Sequence, residues 1–184
     1  NLVVNAVGWG IVVTGSGGLA QIGPTNLQIT VLGNLGAGNS FSGGTVISNA
    51  ELELVPGATS PVEAGFFNAN ERGLGTGPVT FQGNSTLRLA SHNGGEVANG
   101  NAQGAGNFAN AISVPAGQSG RIVTPGRFTM SGAVTGAGAL ELSVMHVRAD
   151  ITANFSAFTG QINVTPNTNA MTVVGGITPI TAFD

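Results

Sequence analysis

Two glutamates, Glu51 and Glu53 in the run Glu51-Leu52-Glu53-Leu54, are the side chains best suited by type and spacing to do chemistry. On a strand they share one face about 6.6–7 Å apart, a separation open to acid–base work on a glycosidic bond or to a calcium site. Glycan chemistry of that kind draws on several acids and bases and on aromatic platforms for the sugar. This chain has one Trp, no Tyr and no lysine, so the pair reads as solvated surface carboxylates. His92, in the loop-like Ser91-His92-Asn93-Gly94-Gly95, and His146, after an apolar strand, have no second ligand at metal-binding spacing. No Gly-x-Ser-x-Gly elbow occurs to build a nucleophile. Glycine clusters at Gly36-Ala37-Gly38, Gly75-Thr76-Gly77, Gly104-Ala105-Gly106 and Gly136-Ala137-Gly138 never complete Gly-x-Gly-x-x-Gly, and a Walker-type loop needs a lysine. They read as positive-φ residues in tight corners. The Asn-x-Ser/Thr triplets at Asn84, Asn154 and Asn163 are no more than chance yields in a chain this rich in Asn, Ser and Thr. The expectation is therefore no catalytic residue, no cofactor and no metal ligand.

The composition explains why candidates are few. Charged residues make up 7% of the 184 positions against 41% hydrophobic, and 31 residues are glycine, whereas an ordinary soluble domain is about 25% charged. Cysteine is absent, so stability has to come from burial and backbone pairing rather than from disulfides. The basic residues are all arginine and the formal charge is −3, which argues against a nucleic-acid partner or an anionic membrane surface. No apolar run reaches the length of a membrane-spanning helix. The chain opens without Met and in mid-pattern, and is expected to be a processed product or an excerpt.

The elements that would position these residues are strands. Helical windows are interrupted by Gly or Pro every few residues, while runs of four to six residues with period-two alternation recur between Gly, Asn and Pro breaks. One irregular or helical turn is expected near Asn68 to Arg72. An opening segment holds strands at Leu2 to Val4, Ile11 to Thr14 and Leu27 to Leu32. Cassettes follow, with first strands at Val46-Ile47, Val79-Thr80-Phe81, Ile112-Ser113-Val114, Phe128-Thr129-Met130 and Ile162-Asn163-Val164. Their second strands fall at Leu52 to Val55, Leu87-Arg88-Leu89, Ile122-Val123, Leu140-Glu141-Leu142 and Met171 to Val174. Leu52 to Leu87 is 87 − 52 = 35 residues and Leu87 to Ile122 is 122 − 87 = 35, later spacings being 18 and 31. Such periods signal a solenoid, a propeller or an array. The pairs Leu52/Leu54, Leu87/Leu89 and Leu140/Leu142 each face one side of a strand, and stacking them makes an internal apolar column. Glu53, Arg88 and Glu141, lying between them, point outward as an alternating charge ladder, with another coil intervening between Arg88 and Glu141.

The line Gly36-Ala37-Gly38-Asn39-Ser40-Phe41-Ser42-Gly43-Gly44-Thr45, followed by Val46, Ile47 and Leu52/Leu54, resembles the autotransporter passenger-associated β-strand repeat. So does Gly73-Leu74-Gly75-Thr76-Gly77-Pro78-Val79-Thr80-Phe81 with Leu87/Leu89, and weaker echoes occur at Gly106-Asn107-Phe108 and Asn154 to Gly160. The match covers residues 34–91; the first 33 residues do not carry it, Phe41 stands where the family often has Tyr, and no translocator barrel is present. The resemblance implies an all-β fold, a right-handed parallel β-helix with degenerate coils, displayed outside a bacterial cell.

The expected organisation is one solenoid domain over 1–184: N-terminal strands in 1–33 as a candidate subunit-contact segment, repeat coils in 34–174 and a C-terminal edge in 175–184. Trp9 reads as a core ring, or as a subunit contact. The leading expectation is a non-enzymatic extracellular structural or adhesive protein. Its partner would be itself, in a homopolymer or the continuation of a longer solenoid, and beyond that a host surface, abiotic surface or glycan. A polysaccharide lyase, glycoside hydrolase or glycan-binding module using Glu51, Glu53 or Glu141 is the second. A pilin-type β-sandwich or jelly roll that exchanges donor strands, betrayed by antiparallel ladders, is the third.

Overall fold

Alternating β-branched and leucine residues between glycine-rich breaks leave the strand as the regular element this chain can form, and strands are what it builds. The computed structural model describes residues 13–24, 26–31, 39–56, 73–89, 105–124, 128–144 and 149–166. In chain order the strands are β1 (Leu19–Ile22), β2 (Asn26–Val31), β3 (Thr45–Ser48), β4 (Glu51–Pro56), β5 (Val79–Gln82), β6 (Asn84–Arg88), β7 (Ala105–Phe108) and β8 (Ile112–Val114). There follow β9 (Ser119–Thr124), β10 (Phe128–Met130), β11 (Val134–Gly136), β12 (Ala139–Val144), β13 (Ala149–Ile151), β14 (Ala157–Phe158) and β15 (Gln161–Pro166). No helix occurs among the described residues.

Three sheets result among the described residues. The first runs β1-β3-β5-β8-β11-β14, the second β2-β4-β6-β9-β12-β15 and the third β7-β10-β13. Every ladder among the described residues is parallel, each strand pairing with its counterpart one cassette along the chain. The antiparallel ladders a pilin-type sandwich would need are not found among them.

Register corrects the expected cassettes. In the second sheet Leu27, Leu52, Leu87, Ile122, Leu142 and Val164 stand in one row. The steps are 52 − 27 = 25, 35, 35, 142 − 122 = 20 and 164 − 142 = 22 residues. Leu142 rather than Leu140 follows Ile122, because with Val134 opposite Ile112 the corner before β12 sets Ala139 opposite Ser119, which leaves Leu140 opposite Gly120. Ile162 to Val164, expected as a first strand, is a second-sheet strand, and Phe128 to Met130 belongs to the third sheet; β11 and β14 are the first-sheet strands of those cassettes. Also unforeseen was β1, where the alternation is inverted: Gln21 is 9% exposed while Ile22 is 71% exposed. Thus part of the segment before residue 34, although it lacks the repeat signature, supplies edge strands to both six-stranded sheets. Val13 and Thr14 are irregular rather than extended in a ladder. The expected strands at Leu2 to Val4 and Met171 to Val174, the turn at 68–72, and the edge at 175–184 lie outside the described residues.

The leucine pairs point inward as expected: Leu52, Leu54, Leu87, Leu89, Leu140 and Leu142 are all buried. They share one cluster with Ile47, Val79, Phe81, Ile112 and Val134 of the first sheet and Phe108 and Met130 of the third. Each fully buried aliphatic side chain contributes roughly 1.5–3 kcal/mol, and the parallel ladders satisfy the backbone between them.

Candidate functional site

Strand alternation fixes which residues can reach a ligand. With the leucines of β4, β6 and β12 turned inward, Glu51, Glu53, Arg88, Arg121 and Glu141 fall on the outer face of the second sheet, all half-buried. Glu53 is opposite Arg88 in register, yet Arg88 reaches diagonally to Glu51, its Nε donating to Oε1 at 3.1 Å and its second nitrogen to Oε2 at 3.4 Å. Asn26 Nδ2 donates to the same Oε1 at 3.2 Å. Arg121 and Glu141 are direct register partners and pair Nε to Oε1 at 3.2 Å. Thr165 Oγ1 donates to Glu141 Oε1 at 2.6 Å, and Arg121 donates to Ser143 Oγ at 3.2 Å. The strand between Arg88 and Glu141 is β9, and Arg88–Glu51 and Arg121–Glu141 are bridged pairs on this face.

This geometry bears on carboxylate chemistry. Glu51 and Glu141 are separated by Thr86 and Arg121 in one outward row, three strand spacings or about 14 Å. That exceeds the roughly 5–9.5 Å between the carboxyls of a glycosidase. Both oxygens of Glu51 accept from Arg88, which ties this carboxylate to the neighbouring strand β6.

Beside Glu51 is a shallow depression of ≈ 320 Å³, lined by Pro24, Asn26, Asn49, Ala50, Glu51, Asn84 and Thr86. It lies at the corner between the first two sheets, and side-chain amides shape it. Asn49 adopts a φ of 50°, a left-handed conformation that Asn tolerates better than most residues. Its Oδ1 accepts from the Asn84 N–H at 3.2 Å, and Gln118 Oε1 accepts from the Gly83 N–H in the next cassette. These corner amides were missed as functional candidates; their signal was the recurrence of Asn49 and Asn84 at 84 − 49 = 35 residues. Asn84, Asn154 and Asn163 are all exposed, and Asn154 Oδ1 closes a local turn by accepting from the Ser156 N–H at 2.9 Å.

Among the described residues no group of three or more His, Asp or Glu side chains could hold a metal ion. His92, His146 and Trp9 lie outside the described residues. Compared with protein-family models, with curated proteins and with solved structures, the chain finds no match. What the described face offers a ligand is amide and hydroxyl hydrogen bonding around two arginine–glutamate pairs.

Proposed function

We propose that the chain is a stretch of right-handed parallel β-helix of the passenger-associated repeat type, serving as structural and adhesive material on the outside of a bacterial cell. One observation carries the reading: in all three sheets, each strand pairs in parallel with its counterpart one cassette away. Parallel crossovers in one sheet are right-handed in nearly all proteins, and stacking at about 4.8 Å per coil gives a rod that lengthens with each repeat. Such a rod works through extended contact and self-association.

The polar depression beside Glu51 favours a second reading, a module that binds a glycan through Asn26, Asn49, Asn84 and Thr86. Electron microscopy of the purified chain, paired with polysaccharide turnover assays on wild type, E51Q, E53Q and E141Q, separates these possibilities. Rods or fibres of uniform width without turnover are expected. Compact particles, or a turnover that E51Q abolishes, would overturn the scaffold reading.

A further inference from the structure

Side-chain amides bridge neighbouring cassettes at the two corners that flank β5. At the corner between β5 and β6, the Asn84 N–H donates to Asn49 Oδ1 of the preceding cassette at 3.2 Å, and the Gly83 N–H donates to Gln118 Oε1 of the following one. Gly83 has a φ of 63° and no side chain, which leaves room for the Asn49 amide; a Cβ there would run into it. At the corner before β5, Asn39 Nδ2 donates to the Gly73 carbonyl at 2.8 Å, and Asn110 Nδ2 donates to the carbonyls of Gly75 and Gly77 at 3.1 and 2.7 Å. Asn39 and Asn49 flank β3, and Asn110 and Gln118 flank β8. The middle cassette is thus held at both corners from both sides.

The bridges coincide with the longest steps between cassettes. Asn49 to Asn84, Gly83 to Gln118 and Gly75 to Asn110 are each 35 residues apart, the step that also separates Leu52, Leu87 and Ile122. Where the steps fall to 20 and 22 residues, the corners are Ala137-Gly138 between β11 and β12 and Thr159-Gly160 between β14 and β15, with no amide side chain to reach across. Hydroxyl bridges do not draw this distinction, since Ser85 to Ile47, Thr135 to Ile112 and Thr124 to Ser143 are spread over the cassettes. Cassettes that touch only their neighbours can open separately, their stability being a sum of unit and interface terms. An amide bridge strengthens the interface term, because opening one cassette leaves a polar group of the next without its partner. For Asn110 that group is buried.

We infer that Asn39, Asn49, Asn110 and Gln118 act as a clamp that makes β3 to β6, β8 and β9 one cooperative opening unit, so that a perturbation in β3 is felt two cassettes away in β9. The clamp is a property of the chain's interior and is independent of any surface role.

Native-state hydrogen exchange in low urea tests it. I47V trims the fully buried Ile47 of β3, a change that should speed unit opening about two- to tenfold. In the otherwise unmodified chain the amides of β8 and β9 should accelerate by the same factor as those of β3 and β4. Two double variants then release one corner each. N49G/Q118A keeps the positive φ at position 49 and alters side chains that are exposed or half-buried, so the fold survives; N39A/N110A releases the corner before β5. In both backgrounds the acceleration caused by I47V should persist in β3 and β4 and fall towards none in β8 and β9. Confinement of the I47V effect to β3 and β4 in the otherwise unmodified chain would mean that no such unit exists. An effect that reaches β8 and β9 undiminished in N49G/Q118A would assign the coupling to the backbone ladders and overturn the clamp, whatever N39A/N110A does.

Discussion

Gly120 lies in the second sheet between Ser85 of β6 and Leu140 of β12, in an inward row of side chains, and its lack of one is what admits the ring of Phe81. A Cβ added there would meet the Phe81 Cδ2 and Cγ atoms at 2.7 Å and Cδ1 at 3.1 Å. Carbon atoms pack comfortably at about 3.5–4.0 Å, so the ring would have to retreat by roughly 0.8 Å. Phe81 is fully buried among close-packed neighbours, and such overpacking costs about 1–3 kcal/mol. The G120A variant should therefore unfold at lower urea concentration with an unchanged slope. At about 2–4 °C per kcal/mol for a chain of this size, its melting temperature should fall by roughly 2–12 °C. The decisive assay is a double-mutant cycle with F81L, which shortens the obstructing ring. F81L alone should cost less than the roughly 3–5 kcal/mol of a full truncation to Ala. In that background G120A should become cheaper by about 0.5–3 kcal/mol, the range of coupling between residues in contact. A G120A cost within about 0.5 kcal/mol of zero, or one that F81L leaves unchanged, would refute the packing argument.

Thr45 occupies an inward row otherwise held by Leu19, Val79, Ile112 and Val134, and its Oγ1 is buried with no hydrogen-bond partner. T45V should raise stability in urea by about 1–2 kcal/mol by removing an unsatisfied hydroxyl. Buried Asn110 donates from Nδ2 to the carbonyls of Gly75 and Gly77 at 3.1 and 2.7 Å; N110A should cost about 1–3 kcal/mol, with faster amide exchange around Gly75 to Gly77 as its local signature. Arg88 and Glu51 form a partly exposed pair, so R88A should lower stability by no more than about 1 kcal/mol, and the loss should shrink in molar salt.

Much of the architecture was legible because burial writes itself into strand sequences with a period of two. Leu52/Leu54 and Leu87/Leu89 announced their inward face, and two equal offsets of 35 announced stacking. Where cassettes shortened, the same signal misplaced register, since Leu140 and Leu142 are equally good partners for Ile122 until the loop before β12 is folded. Polar Gln21 turned inward and Ile22 outward hid β1 altogether. The outer face was legible in charge but not in pairing: that Arg88 reaches Glu51, two residues from its register partner Glu53, depends on the reach of an arginine across the twist between strands.

The glycines mark the same boundary. Sequence alone read the pairs Gly75/Gly77 and Gly136/Gly138 as left-handed corner residues, and for the first of each pair φ is +63° and +109°. The second of each is required by something else: a Cβ on Gly77 would lie 2.3 Å from the Gly44 nitrogen, and one on Gly138 2.5 Å from the Gln118 and Pro115 oxygens. A turn preference is a property of a few consecutive residues, so the sequence by itself determined strands, corners and the inward face. Pairing between cassettes joins residues 20 to 35 positions apart, so register, the arginine–glutamate pairing and the places where backbone leaves no room for a side chain were decided only when the strands met.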